Sequence, residues 1–132
     1  MAVVSIPFSG SYAVGGYTPS GHQLKHEVAI GGLKAVNPVV KFTKLTAFTV
    51  GTGSVSGTIT IDTSELKNLA FPGQNNLTAQ YSCFQVDANG SLVSNGATAA
   101  ASVSFIVQVI DYGDVNVQIT SPTSGQVFTV TI

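Results

Sequence analysis

The sequence Ala99-Ala-Ala-Ser-Val-Ser-Phe-Ile-Val-Gln-Val109 sets the fold class of this chain. Every odd-numbered position in it is apolar, and this two-residue period is typical of a β-strand that buries one face. Ile106 and the following Ile110 place apolar side chains on the opposite face as well. We therefore predict a strand that is covered on both sides.

The same alternation recurs along the chain between short clusters of turn-forming residues. Besides the strand at 99–109, strands are predicted over residues 3–8, 39–50, 55–62, 77–86, 115–120 and 128–132. Gly, Pro, Asn, Asp and Ser mark turns at 51–53, 71–76, 87–90, 94–96, 111–114 and 121–125. Roughly seven to nine short strands at this spacing predict an all-β, single-domain antiparallel β-sandwich or jelly roll, two topologies that the strand number does not separate.

Three segments have a less regular pattern. The apolar face of residues 39–50 slips near Lys44-Leu45, which predicts a β-bulge there; this face consists of Val40, Phe42, Phe48 and Val50. Residues 22–27 fit one helical turn, residues 28–30 fit a short strand, and Gly31-Gly32 ends either of them. Residues 63–67 predict a short helical turn that is capped by Thr63 or Ser64.

The N-terminal residues 1–21 differ in composition from the rest of the chain. After the strand at residues 3–8, Gly and Ser punctuate residues 9–21 too often for a central strand. We predict an extended arm or a long loop there, followed by the β-sandwich domain over residues 22–132. Tyr12 and Tyr17 are candidates to pack on a neighbouring subunit; alternatively, the arm lies along the edge of its own domain.

The composition is apolar and poor in charge. Of the 132 residues, 44% are hydrophobic and 8% are charged, whereas about 25% are charged in a typical soluble domain. This balance excludes a disordered chain, and the lack of arginine argues against nucleic-acid binding. Because the mean hydropathy is +0.36, we expect part of the surface to be covered in a homo-oligomer or on a larger particle.

The few charges are unevenly spread. The charged residues of 1–60 are Lys25, Lys34, Lys41 and Lys44 against Glu27 alone, whereas the charged residues of 61–132 are mainly acidic. These four lysines are candidate partner contacts if the charges form complementary patches that steer subunit association. The alternative interpretation is a scatter of solvated surface charges.

Two groups of residues are candidates for metal binding or nucleophilic chemistry. His22-x-x-x-His26 could share a zinc ion if it lay on a helix, but no third ligand is nearby. We expect two partly exposed imidazoles instead. Cys83 is in phase with Leu77 and Tyr81 on an apolar face, which predicts a small core residue and not a nucleophile.

Paired carboxylates occur at Asp62/Glu65 and at Asp111/Asp114. A glycoside hydrolase needs two carboxyl groups at a defined separation in a cleft, whereas these pairs fall at turns, where Asp commonly accepts hydrogen bonds from the backbone. We therefore expect no catalytic residues, no metal and no cofactor, and a protein that is not an enzyme.

Carbohydrate binding is the alternative function, because small β-sandwiches often carry it. Trp and Arg, which commonly line sugar sites, are absent. The tyrosines and turn amides that remain are Tyr12, Tyr17, Tyr81, Tyr112, Asn75, Asn76 and Asn89.

The first residues, Met1 to Phe8, lack the basic segment and the long apolar segment of a secretory signal. No run approaches the roughly 18 apolar residues of a membrane-spanning helix. We therefore expect synthesis in the cytoplasm and no membrane partner.

The Gly/Ser-rich segment at residues 9–21, the Val/Thr/Ser-rich strands such as residues 102–109 and the low charge together resemble small virion proteins of tailed bacteriophages, especially capsid decoration or cement proteins. This resemblance implies a β-domain on the capsid surface, often a trimer, that binds between major capsid subunits and stabilises the shell. A tail or fibre component would have the same composition.

Overall fold

The computed structural model describes residues 2–70, 72–110 and 125–131, and in these residues the predicted all-β class is confirmed. The strands are β1 (Val3–Val14), β2 (Gln23–Gly31), β3 (Val39–Ala47), β4 (Gly51–Asp62), β5 (Gly73–Val86) and β6 (Thr98–Val109). The one helical element in the described residues is a 3₁₀ turn at Thr63–Glu65, within the helical turn predicted at residues 63–67.

Two antiparallel sheets of unequal size pack against each other as a β-sandwich. The larger sheet has the strand order β3-β2-β5-β6, and the smaller sheet pairs β1 with β4. The β1–β4 register runs from Val3 opposite Asp62 to Val14 opposite Gly51, so both strands are paired over their whole length. In the residues that the structure describes, four strands on one side thus face two on the other.

The core lies between the two sheets and follows the alternation in the sequence. Ile59 and Ile61 of β4 face Val28 and Ile30 of β2, and all four are 3% exposed or less. Fully burying such a side chain contributes about 1.5–3 kcal/mol. Leu33, Leu66, Leu77 and Val107 complete this cluster.

The 3₁₀ turn closes one end of the sandwich. Asp62 accepts a hydrogen bond from the Ser64 N–H at 2.9 Å, and Glu65 accepts one from the Asp62 N–H at 3.0 Å. Asp62 is therefore the capping residue, and not Thr63 or Ser64, because its side chain reaches the first free N–H groups of the turn. Glu65 also binds Lys41 Nζ at 2.7 Å.

The loop or arm predicted from residue 9 is wrong as far as Val14, because β1 continues through this segment. Glycine in this segment allows close packing and does not mark a bend. A Cβ atom on Gly10 would lie 2.7 Å from the Tyr81 ring, so only glycine lets β1 approach that ring. Residues 3–14 therefore lie along their own sandwich.

The helical turn considered for residues 22–27 is also wrong, since Gln23–Gly31 is one continuous strand. β2 pairs with β3 on one side and with β5 on the other. Its alternate residues Leu24, His26, Val28 and Ile30 are all buried. Backbone hydrogen bonds to two neighbouring strands and the burial of one face stabilise the strand more than a single isolated helical turn would be stabilised.

The β-bulge of β3 lies at Lys41, three residues before the predicted position. The register with β2 shifts between Val28 and Ala29, whose partners are Phe42 and Val40. Val39 before the bulge and Phe42 after it both pack against the core, because the extra residue shifts the alternation by one position. The predicted apolar face is therefore wrong at Val40 and Val50, which are 49% and 62% exposed, and correct at Phe42 and at the buried Phe48.

Strand β6 follows the predicted alternation from Phe105 to Val109, whereas residues 98–104 are exposed on both faces. The strand is not covered on both sides in the described structure. Ile106 is 58% exposed and Ile110 is 50% exposed, because no layer lies on that face in the described structure. The strand predicted at 128–132 is absent from residues 128–131, which have no regular secondary structure. The turn predicted at 111–114 and the strand predicted at 115–120 lie outside the described residues.

Candidate functional site

The unequal size of the two sheets leaves an open groove between β1 and β6. Strand β1 covers the centre of the larger sheet: Tyr12 packs on His26 of β2, with ring centroids 4.7 Å apart, and Gly10 meets Tyr81 of β5. The neighbouring position, above β6, is empty in the described structure. Two adjoining hollows of about 300 Å³ and 250 Å³ occupy it.

The groove is lined by uncharged side chains, which are mostly small along β6 and include the larger Phe8, Tyr12 and Tyr81. Ala99, Ala101 and Val103 form its β6 wall, and residues 8–14 of β1, continued by Gly15, form the opposite wall. No charged residue is among the described residues that line it. Val103 is 62% exposed although it points towards the smaller sheet. Such a groove suits an apolar, extended segment and offers nothing to hold an anion or a metal ion.

The backbone of β1 makes this groove a site for strand addition. Among the described strands, β1 pairs with β4 alone, so its other edge faces the groove with unpaired N–H and C=O groups. An exposed strand edge is a template for pairing with a further strand. The groove therefore combines an apolar wall with a free hydrogen-bonding edge.

Beneath the groove lies a buried polar cluster centred on His26. His26 is fully buried; its Nδ1 lies 2.7 Å from the Tyr81 hydroxyl and its Nε2 lies 2.7 Å from the Thr46 hydroxyl. A hydroxyl can donate or accept, so these two contacts satisfy a neutral imidazole in either tautomer. Burial, and then the charge of Lys44, lowers the pKa of His26, which keeps the ring neutral near pH 7.

The two other titratable members of the cluster are also held neutral. Burial raises the pKa of Tyr81 above its usual value, and burial raises the pKa of the Cys83 thiol. The prediction that Cys83 is a core residue is confirmed, because it is buried against Leu24 and Phe48. A buried thiol with a raised pKa is a poor nucleophile. The cluster thus packs the interior and gives its buried polar atoms hydrogen-bond partners.

The two histidines do not converge on a metal site. The Nδ1 of His22 lies 2.7 Å from Gln85 Nε2, whereas both nitrogens of His26 contact Tyr81 and Thr46. No group of three potential metal ligands occurs in the part of the chain that the structure describes. The expectation of two partly exposed imidazoles is wrong for His26, because β2 is a central strand and buries it.

The predicted partner-contact residues differ in their surroundings. Tyr12 points into the sandwich, whereas Tyr17 is 86% exposed in the β1–β2 loop. Lys25 lies 3.5 Å from Glu27 on the same strand, and Lys41 is bound by Glu65. Lys34 and Lys44 are exposed. A role of these residues in partner contact stays a prediction.

Asp62, Glu65 and Asn75, three of the residues considered for chemistry, have structural partners. Hydrogen bonds lower the pKa of Asp62, mainly from the Ser64 backbone, and that of Glu65, mainly from Lys41. Asn75 is buried and its Nδ2 donates to the Asn68 carbonyl at 2.7 Å. Asp111, Tyr112 and Asp114 lie outside the described residues.

Sequence reasoning missed the groove, although one signal pointed to it. Ala99, Ala100 and Ala101 form a run of small residues near the start of β6, and side chains of this size leave space above the strand. None of the helical segments that the structure describes is long and apolar enough to span a membrane. A comparison of the chain with protein-family models, with curated proteins and with solved structures finds no match.

Proposed function

We propose that this protein is a non-enzymatic structural component of a virus particle, which binds between major capsid subunits on the particle surface and stabilises the shell. The observation that carries this proposal is the uncovered groove between β1 and β6, an uncharged apolar surface with a free strand edge. A surface of this kind is costly to leave in water and is typical of an interaction site.

The exposed apolar residues elsewhere support the same proposal. Val36 is 100% exposed, Leu92 is 71% exposed and Ile106 is 58% exposed, on a chain with 8% charged residues. Contacts with neighbouring subunits in a shell would cover such residues, and many weak contacts suffice when each is repeated over the particle. A homo-oligomer fits this composition, and the resemblance to capsid decoration proteins favours a trimer.

Two measurements test the proposal. Light scattering behind a sizing column should give a stable oligomer for the purified chain, and a monomer at every concentration would contradict self-assembly. Added to capsids that lack it, the chain should co-sediment with the shells and raise the temperature at which they open. Failure to bind the capsids would reject the virion role even if the oligomer forms.

One observation favours carbohydrate binding as a second candidate. Tyr17 is 86% exposed and directly precedes residues 18–23, which line a polar hollow together with residues 45–49. An exposed aromatic ring beside polar groups can stack on a sugar. A glycan array tests this candidate: Tyr17→Ala should abolish any signal, and silence across the array for the unmodified chain would remove the candidate.

A further inference from the structure

We propose that the C-terminal segment Val127–Thr131 of a second copy occupies the groove, pairs with the free edge of β1 and buries the inner face of β6. The inference deepens the proposed function, on which it rests, by naming the contact that joins the copies. It assigns a role to the groove and to a C-terminal segment whose apolar side chains are exposed.

The groove lies where the next strand of the smaller sheet would lie. Neighbouring strands in a sheet lie about 4.8 Å apart and packed sheets lie about 10 Å apart. Because β1 packs on β2 and β5 through Tyr12 and Gly10, a strand added to its free edge would lie directly above β6. That strand would enlarge the smaller sheet from two strands to three.

The C-terminal segment has the properties that such a strand requires. Val127 is 84% exposed, Phe128 is 70% exposed and Val130 is 85% exposed, and residues 126–131 have no regular secondary structure. Val127–Thr131 contains no charged residue and no glycine or proline, and it is rich in β-branched and aromatic residues. Phe128 and Val130 alternate with Thr129 and Thr131, so one face would be apolar and the other polar.

The segment and the groove are complementary in length and in side-chain size. Five residues of a strand span about 17 Å, and the exposed small-residue wall of β6 from Ala99 to Val103 also has five residues. Ala99 and Ala101 leave space above β6 that the larger Phe128 and Val130 side chains would fill. Both partners are uncharged, so no charge would be buried without a partner.

A second copy is the occupant that the exposures favour. In the part of the chain that the structure describes, the groove is open while Phe128 and Val130 are exposed, so both apolar surfaces are available to a second copy. Each chain carries one donor segment and one acceptor groove. Such a head-to-tail contact closes into a ring when the rotation between copies allows it, which is compatible with a trimer.

Disulfide trapping between two co-expressed chains tests the inference. Both chains carry Cys83→Ser; a tagged chain also carries Ala101→Cys in the groove, and an untagged chain carries Val130→Cys. Oxidation should give a tagged–untagged covalent dimer. The matched control replaces Ala101→Cys by Ser104→Cys, an exposed position on the opposite face of the same strand, and there the dimer should be lost.

Equal amounts of covalent dimer from Ala101→Cys and Ser104→Cys would overturn the inference. So would an intrachain disulfide at monomer mass in a chain carrying both Ala101→Cys and Val130→Cys, because the chain would then fill its own groove.

Deletion of residues 125–132 gives a separate measurement. It should reduce the mass in light scattering to that of a single chain, with circular dichroism confirming that the β-sandwich is intact. An oligomer that survives the deletion refutes the inference and leaves the proposed function standing. A full-length chain that is monomeric from the start refutes the proposed self-assembly itself.

Discussion

Replacing Thr46 by valine isolates the polar contact that holds His26 in the core. Valine has nearly the shape of threonine, so the packing changes little, but Nε2 of the fully buried His26 loses its partner at 2.7 Å. A buried polar group left without a hydrogen bond costs about 1–3 kcal/mol. We therefore expect Thr46→Val to lower the free energy of unfolding by about that amount.

The assay is urea unfolding at pH 7.5, followed by circular dichroism and by tyrosine fluorescence. For a chain of this size the expected loss in the free energy of unfolding corresponds, in a thermal melt, to a decrease in Tm of about 3–15 °C. Thr43→Val is the matched control, because Thr43 is exposed on the same strand, and exposed substitutions usually change stability by less than about 0.5 kcal/mol. If Thr46→Val and Thr43→Val had equal stability, the His26–Thr46 contact would contribute nothing and our account of the cluster would be wrong.

Three further changes test other parts of the structure. Because the pKa of His26 is lowered in the folded chain, the free energy of unfolding should not depend on His26 above the unfolded-state pKa of about 6.5. Below that pH it should fall, by up to about 1.4 kcal/mol per pH unit. The fall occurs because the unfolded chain binds a proton at His26 that the folded chain does not. In His26→Gln the urea midpoint should therefore not decrease as the pH falls in this range. If it decreases as in the unmodified chain, other groups cause the pH dependence. Gly32→Ala should cost more than about 1 kcal/mol, since φ is +94° and the new Cβ would lie 2.6 Å from the Asn76 carbonyl oxygen; an unchanged thermal midpoint would contradict this. Ile61→Ala should cost about 2–5 kcal/mol in urea unfolding because Ile61 is fully buried, and a loss below about 1 kcal/mol would place it outside the core.

The strands could be predicted from the sequence where one face is buried and the other is wet. Ile59 and Ile61 of β4, and Leu77 and Cys83 of β5, lie inside as the alternation indicates. The errors have local causes. A bulge at Lys41 reverses the phase of β3, and glycine at position 10 signals close packing where it suggested a loop.

The groove could not be predicted, because it depends on which strands are neighbours. Alternation indicates that Ala101 and Val103 share a face, but it does not say that, among the described strands, two cover a sheet of four. The His26 cluster escaped for a similar reason. Tyr81 and Thr46 are 55 and 20 residues away in sequence from His26, and only the pairing of β2 with both β3 and β5 brings them together.

The pairing of β1 with β4 affects the order in which the chain can fold. β2–β3 and β5–β6 join strands that are neighbours in sequence, whereas β1–β4 joins residue 3 to residue 62 and β2–β5 joins residue 23 to residue 86. Contacts between distant residues require long loops to close first and are typical of folding in milliseconds to seconds. During synthesis the larger sheet cannot be completed until β5 and β6 have left the ribosome. Until then the apolar inner faces of β2 and β4 have no complete core to enter, so slow translation would lengthen the time in which nascent chains can associate wrongly.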